Sequence, residues 1–111
     1  MSDMSDRVAL ITGASSWIGR ATGEVFAARG AKVVLAARRE HELATLTREI
    51  GSRGGRASFV VTDVAFAEDV ERMVAHAIET FGRLDFAVNN AGIEGKLAGI
   101  TDLPAQTKAP I

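Results

Sequence analysis

The chain has 111 residues, room for a single domain, with 47% hydrophobic and 24% charged side chains and a formal net charge of -1. That balance offers nothing to attract nucleic acid or an anionic membrane, and no apolar run approaches the roughly 20 residues of a membrane span. Zero cysteines exclude disulfides, thiolate catalysis and cysteine-ligated metal, and zero tyrosines exclude a phenolic acid or base in this chain.

Met1 to Asp6 is polar and acidic, unlike a signal or transit peptide, so a cytoplasmic setting is expected. Arg7-Val8-Ala9-Leu10-Ile11-Thr12 is a short apolar run ending in a Gly/Ser cluster, which predicts a buried strand. Ser15 or Ser16 can cap the next helix, on which Ile18, Ala21, Val25 and Ala28 share a predicted apolar face. Gly30 stands where a C-terminal cap is expected. Lys32 to Ala36 predicts a second strand, and a helix from about Arg39 to Ile50 carries Leu43, Leu46 and Ile50 on one face. Gly51 to Gly55 reads as a flexible turn, and Ala57 to Thr62 as a third strand. Val70, Met73, Val74, Ala77, Ile78 and Phe81 form the cleanest helical stripe, closed by Gly82. Asp85 to Val88 predicts a fourth strand running into Asn89-Asn90-Ala91-Gly92, and the stretch 93–111 reads as loop.

Apolar strands alternating with amphipathic helices predict an α/β fold, βαβαβαβ, with a parallel sheet covered on both faces by right-handed crossovers. In the strand order 3-2-1-4 the fourth strand is an edge, and an unpaired apolar edge favours self-association. His41 and His76 fall on polar helix faces, where solvated side chains are expected.

Gly13-Ala14-Ser15-Ser16-Trp17-Ile18-Gly19 joins the first strand to the first helix. A glycine-rich turn there lets backbone N–H groups and the positive end of a helix meet a pyrophosphate; the same spacing also suits a plain βα turn with a cap. Asp63 could likewise be a turn residue, and Asn89 to Gly92 a turn of residues that tolerate left-handed backbone. Thr12 to Gly19 resembles the Thr-Gly-x-x-x-Gly-x-Gly signature of the short-chain dehydrogenase/reductase family. The resemblance extends over roughly Arg7 to Ile93 through Asp63-Val64 after the third strand and Asn89-Asn90-Ala91-Gly92 after the fourth. It implies an incomplete Rossmann-type doubly wound sheet and an NAD(P)-dependent oxidoreductase, moving hydride between nicotinamide and a carbonyl or alcohol.

It also implies roles for particular residues. Gly13 would make the sharp turn, Ser15, Ser16 and Ile18 would line the phosphate loop, and Gly19 would let the helix pack closely. Asp63 would bond the adenine amino group beside Val64, and Asn90 and Ala91 would contact the cofactor ribose. Trp17 departs from the family pattern, since a glycine belongs there; an indole turned into the loop would obstruct the pyrophosphate, and one turned to solvent would not.

NAD-selective sites place an acid at the end of the second strand to bond the ribose 2′-hydroxyl. Here Ala37 holds that place and Arg38 follows, so a 2′-phosphate and hence NADP is favoured over NAD. The family's catalytic Ser and Tyr-x-x-x-Lys have no match in the chain, which leaves the cofactor-binding half of an enzyme, expected to be inactive alone. A non-enzymatic nucleotide-binding or interaction module is the alternative. A receiver-type domain would need acidic residues at the strand ends, whereas the first strand ends in Thr12-Gly13.

Overall fold

The computed structural model describes residues 4–90. They alternate as β1 Val8–Thr12, α1 Trp17–Ala28, β2 Lys32–Ala37, α2 Glu40–Ser52, β3 Arg56–Val61, α3 Ala67–Phe81 and β4 Phe86–Asn89. All strand pairs are parallel, in the order β3-β2-β1-β4, which is the topology expected from the sequence. Boundaries differ by a residue or two. The largest shift is at α2, which runs through Gly51 and Ser52 before the turn, with the Ser52 hydroxyl donating to the Glu49 carbonyl at 2.8 Å. The expected loop at 93–111 lies outside the described residues.

The side-chain alternation of β1 divides the core in two. Ala9 and Ile11 join Val33, Leu35, Leu43, Leu46 and Ile50 on the α1/α2 side, while Val8 and Leu10 join Val34, Val70, Met73 and Ala77 on the α3 side. β1 and β2, central in the sheet, are buried along almost their whole length, as parallel strands covered on both faces must be. Glycines in left-handed backbone close all three helices: Gly30 (φ 97°) follows α1, Gly54 (φ 88°) follows α2, and Gly82 (φ 85°) caps α3 by donating to the Ile78 carbonyl at 2.8 Å.

One expected face is wrong. The stripe Ile18, Ala21, Val25 and Ala28 of α1 faces solvent, with Ile18 51% and Val25 53% exposed. The buried residues of α1 are Gly19 and Gly23, with Phe26 and Ala27 packed against the core. The helix lies so close to the sheet that a Cβ at Gly23 would meet Leu35 Cδ2 at 3.1 Å. Hydrophobic periodicity gives glycine no weight, so it selects the wrong side of a helix whose contact face is made of glycine. His76 also departs from expectation: it is half-buried, and its Nε2 lies 2.7 Å from the Ser58 hydroxyl on β3, whereas His41 is exposed.

At the opposite end of the sheet from the glycine turn, Asp85 ties β4 to β1. Its N–H donates to the Val8 carbonyl and its carboxylate accepts from the Val8 N–H, both at 2.9 Å. Arg83 donates to both carboxylate oxygens, at 2.8 and 2.9 Å. Burial pushes the Asp85 carboxyl up, but the hydrogen bonds from Arg83 and the Val8 N–H, with the charges of Arg83 and Arg7, outweigh it and hold the group below the usual carboxylate value. A carboxyl depressed in the folded state contributes stability above its unfolded pKa of about 3.9, and that contribution is lost as pH falls through the folded value. Asp85→Asn is therefore expected to lower the urea midpoint near neutrality. It should also flatten the acid limb of stability below about pH 4, read from unfolding curves across that range.

Candidate functional site

The turn after β1 depends on Gly13, whose φ of 65° lies in the left-handed region that a side chain disfavours. The Gly13 carbonyl then accepts from the Ser16 N–H at 3.0 Å and from the Ser16 hydroxyl at 2.7 Å. Ser16 caps α1, its Oγ accepting from the Gly19 N–H at 3.1 Å. Gly19 has no room for a side chain: a Cβ there would overlap the Gly13 carbonyl oxygen and come within 2.9 Å of Ala14 Cα. The Ala14 N–H donates to the Ala36 carbonyl at 3.1 Å, which fixes the loop to the end of β2.

This geometry leaves the start of α1 electrically open. Among the described residues, the N–H groups of Trp17 and Ile18 meet no acceptor. The first turn of α1 holds no acid, whereas α2 carries Glu40 and Glu42 there and α3 carries Glu68 and Asp69. A helix start of this kind presents donors and partial positive charge to an anion.

A cleft of about 390 Å³ opens above it, at the C-terminal ends of β1, β2 and β3. Gly13, Ser15 and Ser16 form one wall; Ala36, Ala37, Arg38 and Arg39 form the second; Thr62, Asp63, Val64 and Ala65 form the third, with Asn90 at the β4 side. Seven of the sequence-derived residues thus come together: Gly13, Ser15, Ser16, Arg38, Asp63, Val64 and Asn90. Gly19 is buried beneath the loop, Ile18 turns its side chain to the surface, and Ala91 lies outside the described residues. Arg39 was missed as a wall residue. Sequence alone does not distinguish it from a first helical residue, but α2 begins at Glu40 and leaves Arg39 in extended backbone at the cleft.

The charges divide along the cleft. Among the described residues the Arg38 guanidinium has no carboxylate partner, and Arg39 reaches only Glu42, at 3.6 Å. Asp63 occupies the third wall, where its Oδ1 accepts from the Ala65 N–H at 3.0 Å. It is a turn residue and a cleft residue at once. Its own N–H donates to Asp69 Oδ2 at 2.8 Å, and this bond, with the Arg72 guanidinium, holds the Asp69 carboxyl below its ordinary value. The Thr12 hydroxyl donates to Asn89 Oδ1 at 2.9 Å, joining the ends of β1 and β4. The side-chain nitrogens of Asn89 and Asn90 are buried and find no acceptor among the described residues. The Trp17 indole is 88% exposed and is not part of the cleft wall, so it does not fill the space above the loop.

The sequence model of the short chain dehydrogenase family matches residues 7–108. A curated relative, the A-factor type gamma-butyrolactone 1′-reductase (1S-forming) of Streptomyces virginiae, is 54% identical over 86 residues, covering 78% of this chain and 34% of that protein. Among solved structures, L-sorbose reductase from Gluconobacter frateurii, complexed with NADPH and L-sorbose, superposes with a TM-score of 0.77 at 42% identity over 82% of this chain and 35% of that one. Glucose dehydrogenase of Caenorhabditis elegans, in the apo form, superposes at 0.79 with 31% identity, over 89% and 48% of the two chains. The chain spans about a third of the length of the curated relatives it matches.

Gly19→Ala is expected to cost about 1–3 kcal/mol, since the added methyl meets backbone rather than a yielding side chain. Gly51→Ala is the control: it adds a methyl to open space on α2 and should stabilise by about 0.5–1 kcal/mol. Chemical unfolding of both variants measures the difference.

Proposed function

The chain belongs to the short chain dehydrogenase family, and on that premise we propose that it is the cofactor-binding part of an NADP-dependent oxidoreductase. The observation that carries this reading is the second wall of the cleft, where Ala37 stands at the end of β2 and two arginines follow, one without a carboxylate partner among the described residues. A guanidinium suits a 2′-phosphate in charge and in fork geometry, and no acid stands at Ala37 to bond a 2′-hydroxyl. The orphaned amide nitrogen of Asn90 and the acid-free start of α1 are donors of the kind a dinucleotide would satisfy.

In this reading Gly13, Ser15 and Ser16, with the N–H groups of Trp17 and Ile18, hold the pyrophosphate, and Gly19 seats α1 against the turn. Asp63 accepts from the adenine amino group beside Val64, Arg38 and Arg39 hold the 2′-phosphate, and Asn90 and Ala91 meet the ribose. The bound nicotinamide supplies hydride exchange with a carbonyl or alcohol substrate. This chain's residues bind and orient; none of them is assigned as acid or base, because it contains no tyrosine. A nucleotide-binding module without catalysis is the alternative reading. A cytoplasmic location and self-association through the side of β4 that is unpaired among the described residues complete the proposal.

Arg38→Asp is expected to weaken NADP binding by about 1.5–3 kcal/mol, one charge-assisted contact, and to leave NAD binding little changed. Calorimetry with both cofactors decides it, and equal losses would remove Arg38 from the phosphate site. The 111-residue chain alone is expected to turn over no alcohol or carbonyl, because general acid–base assistance worth about 10²–10⁴-fold is missing. Absorbance of the reduced nicotinamide across a substrate panel is the assay, and activity that copurifies with the chain would refute it.

A further inference from the structure

We propose that the Trp17 indole is a ligand contact that covers the pyrophosphate and nicotinamide-riboside half of a bound dinucleotide from the solvent side. The proposal rests on the reading of the cleft as an NADP site and adds to it a determinant of preference for the whole dinucleotide over its adenosine part.

Trp17 is the first residue of α1 and directly follows Ser16, which lines the cleft. In a helix the Cα–Cβ bond tilts toward the N-terminus. At the first position there is no preceding turn for the side chain to lie on, so an indole there is free to reach past the helix start toward the glycine loop. Its 88% exposure shows that no other part of the described structure claims it. The N–H groups of Trp17 and Ile18, which meet no acceptor among the described residues, belong to the same turn. An anion held there lies next to the Trp17 Cβ.

The direction of the ligand follows from the walls. Arg38, Asp63 and Val64 enclose the β2–β3 side of the cleft, suited to adenosine 2′-phosphate. A dinucleotide crosses such a crevice over the start of the first helix, and here its far half continues toward β4 and Asn90. An indole on the solvent side of that crossing excludes water from the phosphates, which strengthens their bonds to the N–H groups. It also offers a π face on which a nicotinamide ring can stack. Glycine in the family pattern gives close approach at this position; tryptophan exchanges some of that approach for cover. Ile18 and Val25 of the same helix are exposed too, so a protein interface is the other use of the ring that the experiment separates.

The full 111-residue chain and its Trp17→Ala and Trp17→Phe variants are titrated by calorimetry with NADPH and with adenosine 2′,5′-bisphosphate. Trp17→Ala is expected to weaken NADPH binding about fivefold or more, the scale of one aromatic stacking contact. It should leave bisphosphate binding unchanged, and Trp17→Phe should keep most of the NADPH affinity. In the wild type, indole emission should transfer to the dihydronicotinamide on NADPH binding, which reports binding, while the contrast between NADPH and the bisphosphate is what a merely structural role would not give. Equal losses for both probes, or tighter NADPH binding by Trp17→Ala, overturn the proposal. So does unchanged NADPH affinity, whether alone or with dissociation of a self-associated form. In those cases the NADP reading stands if the wild type binds the bisphosphate; a wild type that binds neither probe overturns both.

Discussion

The contact between Gly19 and the Gly13 turn is the constraint on which the rest of this structure depends. With no side chain at Gly19, the first turn of α1 presses against the backbone of the loop that precedes it. That approach holds the start of α1 against the turn after β1 and seats Gly23 on Leu35 beneath. It also decides which face of α1 is buried. Two glycines and the flanking Phe26 and Ala27 take the contact, and the larger residues Ile18 and Val25 are left outside. Close approach here outweighs the burial of two branched side chains, worth roughly 1.5–3 kcal/mol each if fully buried. The preference makes sense when a backbone position at the cleft is what the fold has to secure.

The strand ends are tied in the same economy of short bonds. Ala14 N–H reaches the Ala36 carbonyl, Thr62 N–H reaches the Ala37 carbonyl at 2.7 Å, and the Thr12 hydroxyl reaches Asn89. Each bond joins the end of one strand to its neighbour, so β1, β2, β3 and β4 present their C-terminal ends as one connected rim. Asp85 does the equivalent work at the other end, between β4 and β1. The cleft walls stand on this rim, which is why residues far apart in sequence, Ser15, Arg38 and Asp63, share one space.

The sequence displayed the fold through residues that bury side chains, and lost it where backbone did the packing. β1, β2 and the stripe of α3 from Val70 to Ala77 are apolar in the right period, and the structure places them as expected. α1 failed because its contact face is glycine. His76 was assigned to solvent because a helix face shows nothing of the strand beneath it, and Ser58 is supplied by β3. At the cleft, residues on loops with a chemical signature were legible: the glycine loop, Arg38, Asp63 with Val64, and Asn90. Arg39, Thr62 and Ala65 were not, since only the bends at the strand ends bring them to the wall. Trp17 was legible as an anomaly, but its exposure required coordinates.

The two asparagines after β4 link binding to folding. Thr12 satisfies Asn89 Oδ1, yet the amide nitrogens of Asn89 and Asn90 are buried without acceptors among the described residues. A buried donor left unmade costs about 1–3 kcal/mol. Asn90 lines the cleft, so a ligand oxygen placed there relieves part of that cost, and relief that exists only in the folded chain stabilises it by mass action. Asn89 lies off the wall, and its donor has to be met from elsewhere. The glycine-turn side is held instead by its own bonds, from Ser16 to Gly13 and Gly19.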